Sequence, residues 1–182
     1  MCGMKSALIF WFSGLSGSGK TTIAQTVKVL LEKEGRSVLI LDGDDVRERF
    51  HKNLGFNVED IKENNRLISE LCHENKDLFD IILVPIISPY KESREKAREL
   101  LNNKFYEVYV SASLKTVIAR DTKGLYAKAA SGLIDNLIGY SKNTIYEEPK
   151  DADLVINSNY QSVEQSVKML YEFVIKQLKI LS

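Results

Sequence analysis

The chain has 182 residues, 44% of them hydrophobic, with 25 basic and 25 acidic side chains and a formal net charge of zero. That length suits a single domain, 1–182, able to bury a core of ordinary size. The balanced charge argues against a nucleic-acid or membrane-surface partner, though it leaves room for a local basic pocket.

No apolar run nears the roughly 20 residues of a membrane span. Cys2 and Cys72 have no C-x-x-C spacing or histidine cluster beside them, so they read as reduced thiols of a cytoplasmic protein. His51 and His73 stand alone and read as solvated or hydrogen-bonded side chains.

Residues 7–12, Ala-Leu-Ile-Phe-Trp-Phe, form an apolar run of strand length. Lys5 before it imitates the start of a signal peptide, but cleavage after the run would cut into Gly14-Leu15-Ser16-Gly17-Ser18-Gly19-Lys20-Thr21. This stretch meets the pattern G-x-x-x-x-G-K-[ST] at every fixed position. Ile23, Val27, Leu30 and Leu31 follow at helical spacing. Strand, glycine loop and helix are what phosphate binding needs: glycines let the backbone N–H groups wrap an oxyanion, and the helix adds the positive end of its dipole. Gly14, Ser16, Gly17, Ser18, Gly19, Thr21 and Thr22 are therefore expected to cradle ATP, with Lys20 on its β- and γ-phosphates and Thr21 on Mg²⁺.

Gly35 marks a helix end, and residues 37–41 read as a second strand closing on Asp42-Gly43-Asp44-Asp45. Carboxylates at that end of a parallel strand lie beside the phosphate loop, which makes Asp42 and Asp44 candidates for metal ligation or base catalysis. The competing reading is an acidic turn capping a helix that begins near Val46.

Residues 58–75 carry Ile61, Leu67, Ile68 and Leu71 on one helical face, with Asn64 and Arg66 as polar residues of interest. Residues 79–87 are almost continuously apolar, as a central strand covered on both faces would be, with Pro85 near the end. A helix over 91–101 opens with Lys91 and Arg94, cations that oppose the dipole and so suggest a ligand, unless Glu92 and Glu95 neutralise them. A fourth strand over 104–110, a helix over 114–120 and a short helical piece holding Lys128 follow. The polar segment 131–150 exceeds an ordinary connection and reads as a lid. A fifth strand at 154–156 and an apolar stripe of Val163, Val167, Leu170, Phe173, Val174 and Leu178 close the chain. The alternation predicts an α/β P-loop fold, a mainly parallel five-stranded sheet with helices on both faces and a mobile lid.

Beyond the phosphate loop, Asp42-Gly43-Asp44 with Arg47, Leu54-Gly55-Phe56, Glu63-Asn64 with Arg66, Ile87-Ser88-Pro89-Tyr90 with Arg94, Arg120-Asp121 with Lys123-Gly124-Leu125-Tyr126 and Lys128, and Tyr146-Glu147-Glu148-Pro149 occur in order along most of the chain. In these pieces the sequence resembles the adenylylsulfate (APS) kinases. The resemblance implies a kinase that moves the γ-phosphate of Mg-ATP to the 3′-hydroxyl of a nucleotide bearing a 5′-anhydride substituent, and a homodimer. It implies that Lys20 stabilises the transferring group, that Asp44 orients the ribose hydroxyl and that Asp42 supports the metal. Arg120 would lie by the ATP base. Arg47, Phe56, Asn64, Ser88, Lys123 and Lys128 would surround the acceptor, with Ile86 and Leu137 at its base.

The chain also departs from that pattern. Ile61 and Ala130 replace arginines, Lys91 replaces a third, Ile86 and Leu137 replace phenylalanines expected around an adenine, and Ile138 replaces a threonine. An aromatic partner is worth about 1–3 kcal/mol to a stacked base, and a hydrogen bond to a charged group about 1.5–3 kcal/mol. On these losses cytidine diphosphoramidate, the acceptor of divergent capsule phosphoramidate kinases, ranks ahead of adenylylsulfate, the acceptor in sulfate assimilation. A non-catalytic nucleotide-binding module and a kinase of small metabolites such as gluconate or shikimate are the further alternatives.

Overall fold

The structure is a computed structural model that describes residues 6–50 and 52–180; the readings of Lys5, Cys2 and His51 lie outside them. Its five strands are β1 (Leu8–Ser13), β2 (Val38–Ile40), β3 (Ile81–Val84), β4 (Phe105–Ser111) and β5 (Leu154–Asn157). They form one sheet in the order β2-β3-β1-β4-β5, and every neighbouring pair is parallel. The helices are α1 (Lys20–Lys33), α2 (Gly43–Phe50), α3 (Val58–Asn75), α4 (Lys91–Leu101), α5 (Leu114–Arg120), α6 (Leu125–Ala130) and α7 (Val163–Ile180).

The period of two along β1 divides the core. Leu8, Phe10 and Phe12 point into one apolar layer with Ile23, Val27 and Leu31 of α1 and Leu170 and Val174 of α7. Ile9 and Trp11 point into the other, with Ile68 and Cys72 of α3 and Ala97 and Leu101 of α4. Being covered on both faces, β1 is apolar throughout apart from Ser13 and fully buried. The Phe10 ring stacks on Tyr106 at 5.3 Å and meets Phe173 edge-on at 5.9 Å. The stripe on α7 is core from Val167 onward, whereas Val163 at its start is 54% exposed.

The helical bounds expected at 58–75, 91–101 and 114–120 are those observed. Residues 79–87 give a shorter strand than their composition suggests. Pro85 has no N–H for the ladder, and the N–H of Ile86 turns back to Val84 O at 3.0 Å. The helix expected near Val46 begins three residues earlier at Gly43, because Asp42 caps it: Val46 N donates to Asp42 O at 2.9 Å and Asp44 N to Asp42 Oδ1 at 3.1 Å. Gly35, at φ 79°, ends α1 as its position predicts. Among the described residues no helix is long and apolar enough to cross a membrane.

Parallel pairing carries the carboxyl ends of β1, β2 and β3 to one edge, and the glycine loop turns there. Gly14, at φ 141°, lies so close to β4 that a Cβ would stand 2.4 Å from Val110 O. A backbone oxygen within a strand cannot yield, so Gly14→Ala is expected to lower stability by about 2 kcal/mol or more. Urea unfolding with circular dichroism reads the change, and a variant as stable as the parent would remove the close approach from the account.

Candidate functional site

Lys20 opens α1 and is only 7% exposed. A buried ammonium must find acceptors, and its Nζ donates to Gly14 O and Leu15 O, each at 2.8 Å. The lysine thus closes the loop on itself, with Ser18 Oγ at 3.4 Å. Gly17 and Gly19 hold φ of 80° and 102°, the left-handed region that lets the loop curl without a side-chain penalty. Ser16 and Ser18 are buried in the loop, and Thr22 lies exposed in the first turn of α1. Burial, the main cause, together with the nearby Lys123 ammonium, lowers the Lys20 pKa to about 7, while Asp42 and Asp44 pull it upward.

Thr21 Oγ1 donates to Asp42 Oδ2 at 2.7 Å, so the two residues expected at a metal meet directly. Asp42 caps α2 through Oδ1 and accepts from Thr21 through Oδ2. Their donors are all oxygen, the kind a hard cation takes. Among the described residues no group of three or more His, Cys, Asp or Glu could cage a metal. The arrangement fits Mg²⁺, which keeps several waters and shares phosphate oxygens rather than seeking an all-protein cage. Asp44, in the first turn of α2, pairs with Lys123 from the turn before α6. Two ammonium and two carboxylate groups therefore converge beside the loop.

On one side of that cluster, Arg120 donates to Gly17 O at 3.5 Å and to Ser158 Oγ at 3.2 Å, which places it against the phosphate loop. Tyr126 was missed as a site residue, yet its hydroxyl donates to Ser16 O at 2.8 Å and fixes the loop from below. Asp121 sets that helix by accepting from Tyr126 N and Ala127 N at 3.0 and 2.9 Å. On the other side, Arg47 donates to Leu54 O at 3.0 Å and Gly55 O at 2.6 Å, and its guanidinium lies 4.6 Å from the centre of the Phe56 ring. It pins the loop that carries Phe56, an aromatic ring left 51% exposed. Asn64 is buried on α3. Lys128 is exposed on α6, and no polar contact joins its ammonium to the acceptor-side residues among those described.

Several of the expected site residues are already engaged within the protein. Ile86 and Leu137 are both buried, in different apolar clusters. Ile86 packs in the core with Leu41 and Val46, its Cγ2 pressed to 3.1 Å from where a Cβ on Gly43 would be, whereas Leu137 packs with Val117 and Tyr126. Ser88 does not offer its hydroxyl to an acceptor, because it is 1% exposed and bonded to Trp11 and Asn65. Arg94 does not await a ligand; it is buried, paired with Glu107 at 2.8 Å, and donates to Ser88 O and Glu147 O. Lys91 is matched by Glu95 at 3.4 Å.

Fold and loop together define a P-loop phosphotransferase. The family model for adenylylsulphate kinase matches residues 6–157. The adenylyl-sulfate kinase of Prochlorococcus marinus is 44% identical over 167 residues, covering 91% of this chain and 82% of its own, and that of Staphylococcus epidermidis 43% over 172 residues, covering 94% and 85%. The solved structure of the Mycobacterium tuberculosis APS kinase in complex with AMPPNP and APS superposes with a TM-score of 0.88 at 34% identity, covering 94% of this chain and 98% of its own. The chain belongs to the adenylylsulphate kinase family, and is a phosphotransferase acting on a nucleotide hydroxyl.

The depressed Lys20 pKa has a definite sign. The unfolded lysine, at 10.5, binds more protons than the folded one at about 7, so the free protein gains stability as pH rises through that window. A bound polyphosphate reverses the bias by restoring the charge. Nucleotide binding at pH 8.5 should take up about one proton, falling toward zero below pH 6. Calorimetry in buffers of different ionisation enthalpy reads this, and no uptake at any pH would show that Lys20 is already charged in the free protein.

Proposed function

We propose that the protein transfers the γ-phosphate of ATP to the 3′-hydroxyl of adenylylsulfate. The observation that carries this reading is the convergence of Lys20 in the phosphate loop, Asp42 beneath it and Asp44 at the head of α2. Support for the donor and acceptor comes from family membership and from the likeness to a relative solved with AMPPNP and APS.

In this reading Lys20 exchanges the carbonyls of Gly14 and Leu15 for phosphate oxygens, so an amine already held out of water meets the transferring group as an ammonium with little rearrangement of solvent. The loop amides bind the same oxygens. Thr21 and Asp42 would hold Mg²⁺, which neutralises charge on the phosphates. Asp44 leaves Lys123 and accepts the hydrogen bond of the ribose hydroxyl, orienting its oxygen in line and taking its proton as the new bond to the γ-phosphorus forms and the bond to the bridging oxygen breaks, releasing ADP. Lys123 is then free to meet the acceptor's anionic end. Phe56, held by Arg47, offers an aromatic face to a base, with Asn64 on the neighbouring helix. Arg120 serves the ATP side. Segment 131–150 acts as the lid that keeps water from the transferring group, and a homodimer, carried from the resemblance, is the assembly to be read by sedimentation.

Ile61 favours a second reading. It is 4% exposed and aliphatic, standing where the resemblance implies an arginine for the anhydride end of adenylylsulfate. An acceptor with a less acidic substituent, such as cytidine diphosphoramidate, loses less there. Ile86 and Leu137, aliphatic where the resemblance implies aromatic rings, bear on the same choice through the base.

Purified protein with Mg-ATP and each acceptor in turn should give the larger kcat/KM for adenylylsulfate, read as 3′-phosphorylated product by chromatography. A reversed order would hand the function to the second acceptor. Lys20→Ala and Asp44→Asn are each expected to lower kcat by about 100-fold or more. Transfer that survives both changes would sink the mechanism.

A further inference from the structure

Trp11 is the only tryptophan in the chain and has no exposed surface. A buried indole N–H requires an acceptor, and here it donates to Ser88 Oγ at 2.9 Å. The Ser88 hydroxyl donates in turn to Asn65 Oδ1 at 2.9 Å, and Asn65 Nδ2 donates to Ile61 O at 2.8 Å. Direction is forced along this relay. An indole only donates, so the hydroxyl must pass its own hydrogen onward, and the amide must turn oxygen toward it and nitrogen toward α3.

Ser88 is held at its backbone as well, for Arg94 Nη1 donates to its carbonyl at 2.8 Å. These bonds keep a serine at φ 44°, a conformation a non-glycine residue adopts only when its surroundings impose it. Its neighbours reach both halves of the site. Ile87 O accepts from Gly14 N at 3.2 Å, and Pro89 O accepts from Glu147 N at 2.8 Å. Asn65 adjoins Asn64 on α3.

We propose that Ser88 is a positioning residue. The relay from Trp11 through Ser88 to Asn65 sets α3, and with it Asn64, relative to the phosphate loop, so that acceptor and donor sides stay in register. The turnover part of this inference rests on the nucleotide 3′-kinase reading; the structural part does not.

Ser88→Ala and Ser88→Gly test it together. Both remove the hydroxyl, and glycine tolerates the left-handed backbone, which separates loss of the relay from failure to fold. Tryptophan emission reads the relay without substrate, and both variants should shift it to shorter wavelength as the indole loses its partner. Amide hydrogen exchange around residue 64 should quicken in both. In turnover, kcat should fall about 10-fold to 100-fold with KM for ATP within about twofold.

Unchanged emission or unchanged exchange would overturn the relay. Unchanged kcat with altered emission would deny it any part in register, and a raised acceptor KM at constant kcat would make Ser88 a direct contact instead. If the parent protein phosphorylates neither nucleotide, the function reading fails, while emission and exchange still decide whether Ser88 positions α3.

Discussion

An ammonium held out of water at the end of β1 is the demand around which the site is built. Lys20 can stay there only because Gly14 and Leu15 present their carbonyls inward, and Gly14 can do so only by lying against Val110 O, where a side chain would not fit. That contact in turn requires β4 to be the parallel neighbour of β1. The sheet order, the glycine and the lysine are thus one constraint met at three scales. Asp42 and Asp44 complete it, bringing negative charge from the next strand end but one without burying either carboxylate fully.

Much of this was legible in the order of residues. The apolar runs of β1 and β3, the stripe of α3 and the spacing of the glycine loop are all local patterns, which the three-dimensional structure had no reason to override. What periodicity could not reveal was partnership. Arg94 reads as a free cation near a helix start until Glu107 arrives from β4 to meet it. Asn65 carried a faint signal: it falls on the stripe of Ile61, Ile68 and Cys72, and a polar residue on an apolar face implies a buried partner. Finding that partner required knowing that β1 and the turn after β3 approach one another.

The acceptor side shows why substitution is a poor guide to specificity until packing is known. Ile86 and Leu137 suggest a dismantled base pocket when read along the chain. In the fold they are buried in separate clusters, whereas Phe56, held by Arg47, keeps an exposed ring. Ile61, as buried as Ile86, differs from it in standing where the resemblance implies a charge rather than an aromatic ring.

Gly139 rests directly on the phosphate loop: Leu15 Cδ2 lies 2.5 Å from the point a Cβ would take. A cover seated this tightly on the floor beneath it shares that floor's movements. On the proposed function, a shift of the Leu15 peptide toward an incoming phosphate would also move the side chain beneath Gly139, and the span from 131 to 150 would feel it first at that one glycine.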